Sequence, residues 1–307
     1  MLMHLYVKGN DQHSLTNLPR SDDVMPAFAP LHAVATRKAC ELLQGTGESC
    51  PHVLDIGSAA GEPALSVALA LPDAEVVATD FSGLAALGGR ARAARAGAKN
   101  MIFQFSDAED LQFDDDSFDL VVCCLVLSVC DENAALGGIE RILKPGGAVL
   151  IIDFAELAES AYLRSVQAAV AACVPEHASL SASFGLRPWR LCEEASGTGI
   201  CQRLHDLGFE DYSEEHVHVA LDTAGESDEQ LWARVRGPML ALLETMRDID
   251  QTDVKDSEAL PARQAFLAAL RRPGEETAGG SGGIRWRDNK FRMWTARKPR
   301  ARGWGIF

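Results

Sequence analysis

The chain has 307 residues, 47% of them hydrophobic and 24% charged, the balance of a globular protein with ample core. Its formal net charge of −15 opposes a polyanionic partner such as DNA or RNA, and the one basic cluster, Arg285 to Arg302, reads as a solvated flank of a last strand. No apolar run reaches the length of about eighteen residues that a membrane span needs, and the opening MLMHLYVKGNDQHS has neither secretory nor transit character.

In chain order, residues 31–45 have helical spacing and stop at Gly45. A strand follows at 52–57, then a helix at 62–71 with Pro63 in its first turn. Residues 74–80 are a second strand, 82–97 an Ala-, Arg- and Gly-rich helix, 101–107 a third strand and 118–127 a fourth. Asp131 is placed to cap a helix running to about Leu143, KPGG at 144–147 reads as a tight turn, and 148–154 is a fifth strand. Short apolar strands alternating with helices predict a parallel, doubly wound α/β sheet. Beyond it, 158–174 and 197–208 are predicted helical, 175–194 irregular, and 209–221 alternates like a strand. A capping-box pattern at Ser227 and Gln230 predicts a helix over 227–248, 273–283 is a low-complexity loop, and 291–299 is a last strand.

Ligands of open parallel sheets bind at the C-terminal ends of the strands. Acids stand at those ends: Asp55, Asp80, Asp107 and Asp153. The first strand runs into the loop of VLDIGSAAGEP, and Gly61 precedes Asp80 by nineteen positions, a spacing that suits an acid accepting hydrogen bonds from a ribose diol. The dinucleotide fingerprint G-x-G-x-x-G fails, because Ala59 and Glu62 occupy its second and third glycine positions. Glu62 would set a carboxylate against a pyrophosphate, so a cationic cofactor without phosphate fits better. No phosphate-loop motif is present.

Together VLDIGSAAGEPAL (53–65), VVATDFS (76–82), FSDAEDLQFDDDSFDLVVC (105–123) and RILKPGGAVLIID (141–153) resemble, in order and spacing, the class I S-adenosylmethionine-dependent methyltransferases. The closer likeness is to the ubiquinone and menaquinone biosynthesis C-methyltransferases, strong over about 55–155 and looser at GFEDY (208–212) and TARKP (295–299). The resemblance implies a Rossmann-like, seven-stranded, mostly parallel sheet with a reversed last strand. It implies S-adenosylmethionine as cofactor, S-adenosylhomocysteine as product, and a small-molecule acceptor. By the same resemblance Asp55, Gly57, Ser58, Ala59 and Gly61 surround the methionine and ribose portions of the cofactor. Asp80 holds the ribose hydroxyls, Phe81 lies against the adenine, and Asp107 and Ala108 contact its edge. Cys123, Cys124 and Leu125, just after strand four, line the methionine side. The family usually has glycine where Ala59 stands.

One domain is expected over 1–307, with a core at about 38–155, 197–221 and 290–299 and a lid over the cofactor from about 1–37, 156–194 and 222–289. The lid carries Phe28, Tyr162, Phe184, Trp189, Trp232 and Met239, which implies a small, partly apolar acceptor methylated at oxygen, carbon or nitrogen. Methyl transfer from a sulfonium needs alignment more than a fixed catalytic signature, and none is visible. For a hydroxyl acceptor, Asp153 is the first candidate base and His32 the second. Asp119 and the run Asp114-Asp115-Asp116 read as structural, and Cys123 and Cys124 as buried apolar residues rather than nucleophiles. His216 and His218 lack a third ligand, so no metal is expected. Eight cysteines without a CxxC imply reduced thiols and a cytoplasmic location. The competing readings are a non-catalytic scaffold of the same fold and, third, a nicotinamide oxidoreductase.

Overall fold

The computed structural model describes residues 28–44, 46–59, 61–81, 83–155, 160–173, 199–223, 227–228, 231–232, 263–271 and 284–300. Seven strands form one sheet: β1 (His52–Ile56), β2 (Glu75–Asp80), β3 (Met101–Phe105), β4 (Phe118–Cys124), β5 (Leu143–Phe154), β6 (Glu210–Asp222) and β7 (Arg285–Arg297). Their order is β3-β2-β1-β4-β5-β7-β6. The first five pair in parallel, and β7 runs antiparallel to both β5 and β6. This is the expected doubly wound sheet with its reversed last strand. β4 is buried at every position, as a central parallel strand covered on both faces must be.

Two layers of helices cover the sheet. α1 (Ala29–Gln44), α2 (Ala64–Ala70) and α3 (Gly83–Ala96) lie on one face, and α4 (Glu132–Ile142) lies on the other. α1 puts Leu31, Ala35, Ala39 and Leu43 at four-residue intervals into the core, one stripe of a 3.6-period helix. α4 begins as expected, with Asp131 accepting the Ala134 N–H at 3.0 Å. It ends with Arg141, in its last turn, donating to the carbonyls of Leu111 and Phe113. α5 (Ala161–Cys173) joins the α1 side, and α6 (Gly199–Asp206) packs beside α4. α7 (Arg263–Leu270), which was not expected from the sequence, packs against α5.

Several boundaries differ from the expected ones. β4 stops at Cys124, because Leu125 takes a left-handed φ of +61° and turns its N–H to the Ile152 carbonyl. A 3₁₀ turn at Leu127–Val129 follows, so Cys123 and Cys124 are the last residues of β4 and do not come after it. KPGG is no separate turn but part of β5, accommodated by a register shift between the pairs Phe118↔Leu143 and Leu120↔Ala148. β7 starts at Arg285 rather than 291. Its early half, RWRDNK, buries Trp286 and Asn289 between exposed charged residues, an alternation too polar to read as a central strand. The irregular stretch 175–194, the loop 273–283 and most of the helix expected at 227–248 lie outside the described residues.

Asn289 ties the start of α5 to the sheet. It is fully buried, and its Oδ1 accepts from Tyr162 N and Ser160 Oγ while its Nδ2 donates to the carbonyls of Val219 and Trp286. The amide thus joins α5, β6 and β7, with all four bonds satisfied.

Candidate active site

The loop after β1 is held from three sides. Ser58 N–H donates to the Thr79 carbonyl at 2.8 Å, and Ser58 Oγ donates to the same oxygen at 3.0 Å. Ala59 N–H donates to Asp80 Oδ2 at 2.8 Å, fastening the loop to the end of β2. Asp55 Oδ2 accepts the Ala64 N–H at 3.1 Å, at the start of α2. Gly57 and Gly61 have φ of +70° and +103°. A Cβ on Gly57 would lie 2.4 Å from Val126 Cγ2, and one on Gly61 would lie 2.8 Å from Phe103 Cζ. Both glycines are therefore required by conformation and by space. Ala59 also sits in the left-handed region, at φ +47°, which shows why a glycine is usual there.

Asp55 is 1% exposed, and its Oδ1 is buried with no hydrogen-bond partner. Burial pushes its carboxyl well above the ordinary range, the Ala64 N–H and the Ser58 hydroxyl oppose this, and the nearby Glu62 and Asp80 push it further up. A buried acceptor without a partner, at the end of β1 beside a positive-φ loop, is chemically suited to a donor or a cation. Glu62, expected to leave the loop acidic, instead pairs with Arg92 at 3.0 Å and accepts from Ser66 Oγ at 2.7 Å. The charge argument for a cationic cofactor therefore rests on Asp55.

On the β2 side, Asp80 is buried and lies in register with Phe105 of β3. The Phe81 and Phe105 rings meet at 5.4 Å between centroids, tilted 41° to each other, and Phe105 is 61% exposed. An exposed phenyl beside the acid at the end of β2 offers an apolar face there, and Phe105 is a residue that sequence reading did not single out. The signal was the alternation MIFQF: Phe103 is buried, while Phe105 lies one step further along the same face and is exposed. Asp107 Oδ1 accepts the Glu109 N–H at 2.9 Å, so its carboxylate shapes the turn that carries the buried Ala108. Cys123 and Cys124 are buried at the end of β4, and burial pushes both thiols well up, which keeps them protonated. Leu125, half-buried, follows them into the loop.

The two candidate bases stand in different surroundings. Asp153 is 3% exposed, and its two oxygens accept the backbone N–H groups of Ser128 and Phe154 at 3.0 and 2.8 Å. Burial raises its carboxyl to about 6 against those bonds. His32, in the first turn of α1, is half-buried, and burial lowers its pKa. Glu62 acts on it in the opposite sense and Arg92 in the same sense, so the imidazole lies within electrostatic reach of the β1–α2 loop.

A parallel sheet with a reversed last strand, a glycine loop after β1 and an acid at the end of β2 defines the class I S-adenosylmethionine-dependent methyltransferases. A family described as a methyltransferase domain matches residues 48–224, more than half of the chain, and the chain belongs to that family. It is 40% identical over 126 residues to the demethylmenaquinone methyltransferase of Clavibacter sepedonicus, which covers 40% of this chain and 47% of that protein. It is 35% identical over 114 residues to the malonyl-[acyl-carrier protein] O-methyltransferase of Alcanivorax borkumensis, covering 36% and 38%. The matches thus span about half, or less, of these relatives' own length. Phosphoethanolamine N-methyltransferase 2 of Haemonchus contortus, in complex with phosphomonomethylethanolamine and S-adenosylhomocysteine, shares the fold. Its TM-score is 0.54 at 17% identity, over 94% of this chain and 59% of that one. S-adenosylmethionine is the cofactor of this chain, and the buried Asp55 oxygen, the glycine loop and the exposed Phe105 ring beside Asp80 fit it.

Proposed function

We propose that this chain transfers the methyl group of S-adenosylmethionine to a small, partly apolar organic acceptor. The observation that carries the acceptor class is an aromatic array at the C-terminal end of β5. Phe154 packs on Phe291 at 5.1 Å, Phe28 meets Tyr162 edge-on at 5.7 Å, and Tyr162 meets Trp286 at 5.1 Å. These rings come from the start of α1, the start of α5 and β7, and all are buried, so the segments that border the strand ends are packed with apolar rings rather than with polar or charged groups. Among the described residues no helix is long and apolar enough to cross a membrane. The single-domain organisation, with the aromatic segments as lid, belongs to the same proposal. The named relatives methylate, by their names, a demethylmenaquinone, a malonyl group on oxygen, and a phosphoethanolamine on nitrogen, so the acceptor atom does not follow from kinship.

S-adenosylmethionine supplies, when bound, a methyl group already activated on a sulfonium. The protein's own residues align and desolvate. In this reading Asp55 Oδ1 meets the cationic end of the cofactor, Asp80 meets the ribose hydroxyls, and Phe81 and Phe105 take the adenine. Gly57, Ser58, Ala59 and Gly61 bring the backbone close, Asp107 and Ala108 hold the adenine edge, and Cys123, Cys124 and Leu125 close the methionine side. An acceptor hydroxyl or acidic carbon must lose a proton. The order of the two candidate bases reverses here. His32, neutral at pH 7 because burial lowers its pKa, is free in charge state to take that proton. Asp153, with both oxygens committed to backbone N–H groups, instead shapes the loop that follows β4.

The test is calorimetric titration of the full chain with S-adenosylmethionine, S-adenosylhomocysteine and NAD, followed by a screen of phenolic, quinol and carboxylic acceptors for S-adenosylhomocysteine release. Asp80→Ala is expected to weaken binding of both sulfur nucleosides by roughly tenfold or more, the loss of charge-assisted hydrogen bonds. His32→Ala is expected to lower kcat on the best acceptor and to leave cofactor affinity unchanged. Failure to bind either sulfur nucleoside refutes the reading, a preference for NAD revives the oxidoreductase, and binding without turnover on any acceptor returns the scaffold.

A further inference from the structure

At the opposite edge of the sheet, where β1 and β2 begin, Cys50, His52 and Glu75 stand together. Among the described residues, one ligand atom from each lies within 4.8 Å of the other two. The sheet explains the grouping. His52 and Glu75 are register partners in the parallel β1–β2 pair, so their side chains leave the same face side by side. Cys50 precedes His52 by two positions, the spacing that returns a side chain to the same side of an extended chain. The backbone is fixed at this point. Glu75 N–H donates to the carbonyl of Pro51, the residue between Cys50 and His52, at 2.9 Å. His52 N–H donates at 2.8 Å to Asp119 Oδ2, and Lys144 holds that carboxylate at 2.7 Å.

We propose that Cys50, His52 and Glu75 bind a single zinc-class divalent cation. The donor set is a thiolate sulfur, an imidazole nitrogen and a carboxylate oxygen, the mixture of borderline ligands that selects Zn²⁺ over the oxygen-seeking Ca²⁺ and Mg²⁺. The spacing agrees with that ion. Bonds of about 2.1 Å in a tetrahedral site place two ligand atoms about 3.4 Å apart. His52 Nε2 and Glu75 Oε2 stand 3.5 Å apart. The Cys50 sulfur lies within 4.8 Å of both, and its exposed side chain has room to turn toward a third corner. Water takes the fourth position. The ion joins the turn before β1 to the start of β2, at the end of the strands away from the methyl-transfer site, and acts as a clamp on the sheet. The sequence expectation of no metal weighed His216 and His218, which are exposed on β6, whereas the proposed site is a different trio spread over 25 positions of sequence.

The test uses the full-length chain, stripped with a chelator and titrated with Zn²⁺ and then with Co²⁺. Wild type is expected to take up one ion more per chain than Cys50→Ser/His52→Ala, and each single variant is expected to bind that ion at least about tenfold more weakly. Co²⁺ in wild type is expected to show a sulfur-to-cobalt charge-transfer band that Cys50→Ser abolishes. S-adenosylhomocysteine binding, at the other end of the sheet, is the control for intact folding and should be equal in all four proteins. Equal zinc stoichiometry and affinity in wild type and the double variant overturns the proposal, as does a cobalt complex without the thiolate band or a wild type that binds no ion.

Discussion

At the scale of single residues, buried acids govern the pH response. Asp153 sits at about 6 in the folded chain against an ordinary 3.8, because burial outweighs its two backbone hydrogen bonds. The folded state therefore binds more protons than the unfolded one between these values, and stability falls as pH rises across that window. The full contribution is present below pH 3.8 and is gone above about 6, a loss of about 3 kcal/mol for the interval between the two values. Asp153→Asn removes the titration and turns an amide N–H₂ toward one of the two backbone donors, a constant cost of about 1–3 kcal/mol. Urea unfolding at pH 4.5, 5.5, 6.5 and 7.5 is expected to show the gap between wild type and Asp153→Asn narrowing as pH rises. A gap that stays constant or widens means that the carboxyl is not raised. Asp153 and Asp55 were both legible as strand-end acids, but their charge states were not, since these depend on burial and on donors from distant parts of the chain.

At the scale of elements, the β1–α2 loop is where space and backbone conformation act together. Gly57 must have a positive φ, and its missing Cβ is where Val126 of the β4 loop lies. Gly57→Ala is thus expected to combine left-handed strain of about 1–2 kcal/mol with overpacking of about 1–3 kcal/mol. The second term is separable. Val126→Ala empties the contact at a cost of its own, so Gly57→Ala/Val126→Ala is expected to be less destabilised than the two single changes added together. Chemical denaturation of the four proteins closes this cycle, and strict additivity would mean that the clash is not felt. The glycines were legible in VLDIGSAAGEP, but their neighbour was not: strand four was expected to run through Leu127, because CCLVL is apolar throughout. The left-handed Leu125 breaks that run, and an apolar side chain in a loop has the same composition as one in a strand. The KPGG segment failed in the converse way, since glycine and proline marked a turn where β5 carries a bulge.

At the scale of the whole molecule, the parallel half was readable because each strand is a short apolar run between turn signals and each helix has a stripe of period 3.6. The segments after β5 were less so, because their packing depends on long-range contacts such as the Asn289 amide joining α5, β6 and β7. The β1–α2 loop bonds to β2, touches the β4 loop and starts α2, so a ligand held there would bear on all three elements. S-adenosylhomocysteine at a hundred times its Kd is expected to stabilise the chain by about 2.7 kcal/mol, a rise in Tm of roughly 5–10 °C for a domain of this size. The rise should grow with the logarithm of ligand concentration, since the ligand binds only the folded chain. Asp55→Asn keeps an oxygen for the Ala64 N–H and removes the buried charge, so its ligand-free Tm at pH 8 is expected to equal or exceed that of wild type. Its ligand-induced rise should nevertheless be smaller, because the carboxyl that would ionise against the cationic end of the cofactor is gone. An equal rise in Asp55→Asn would remove that carboxylate from the cofactor site, and no rise in wild type would remove the loop itself.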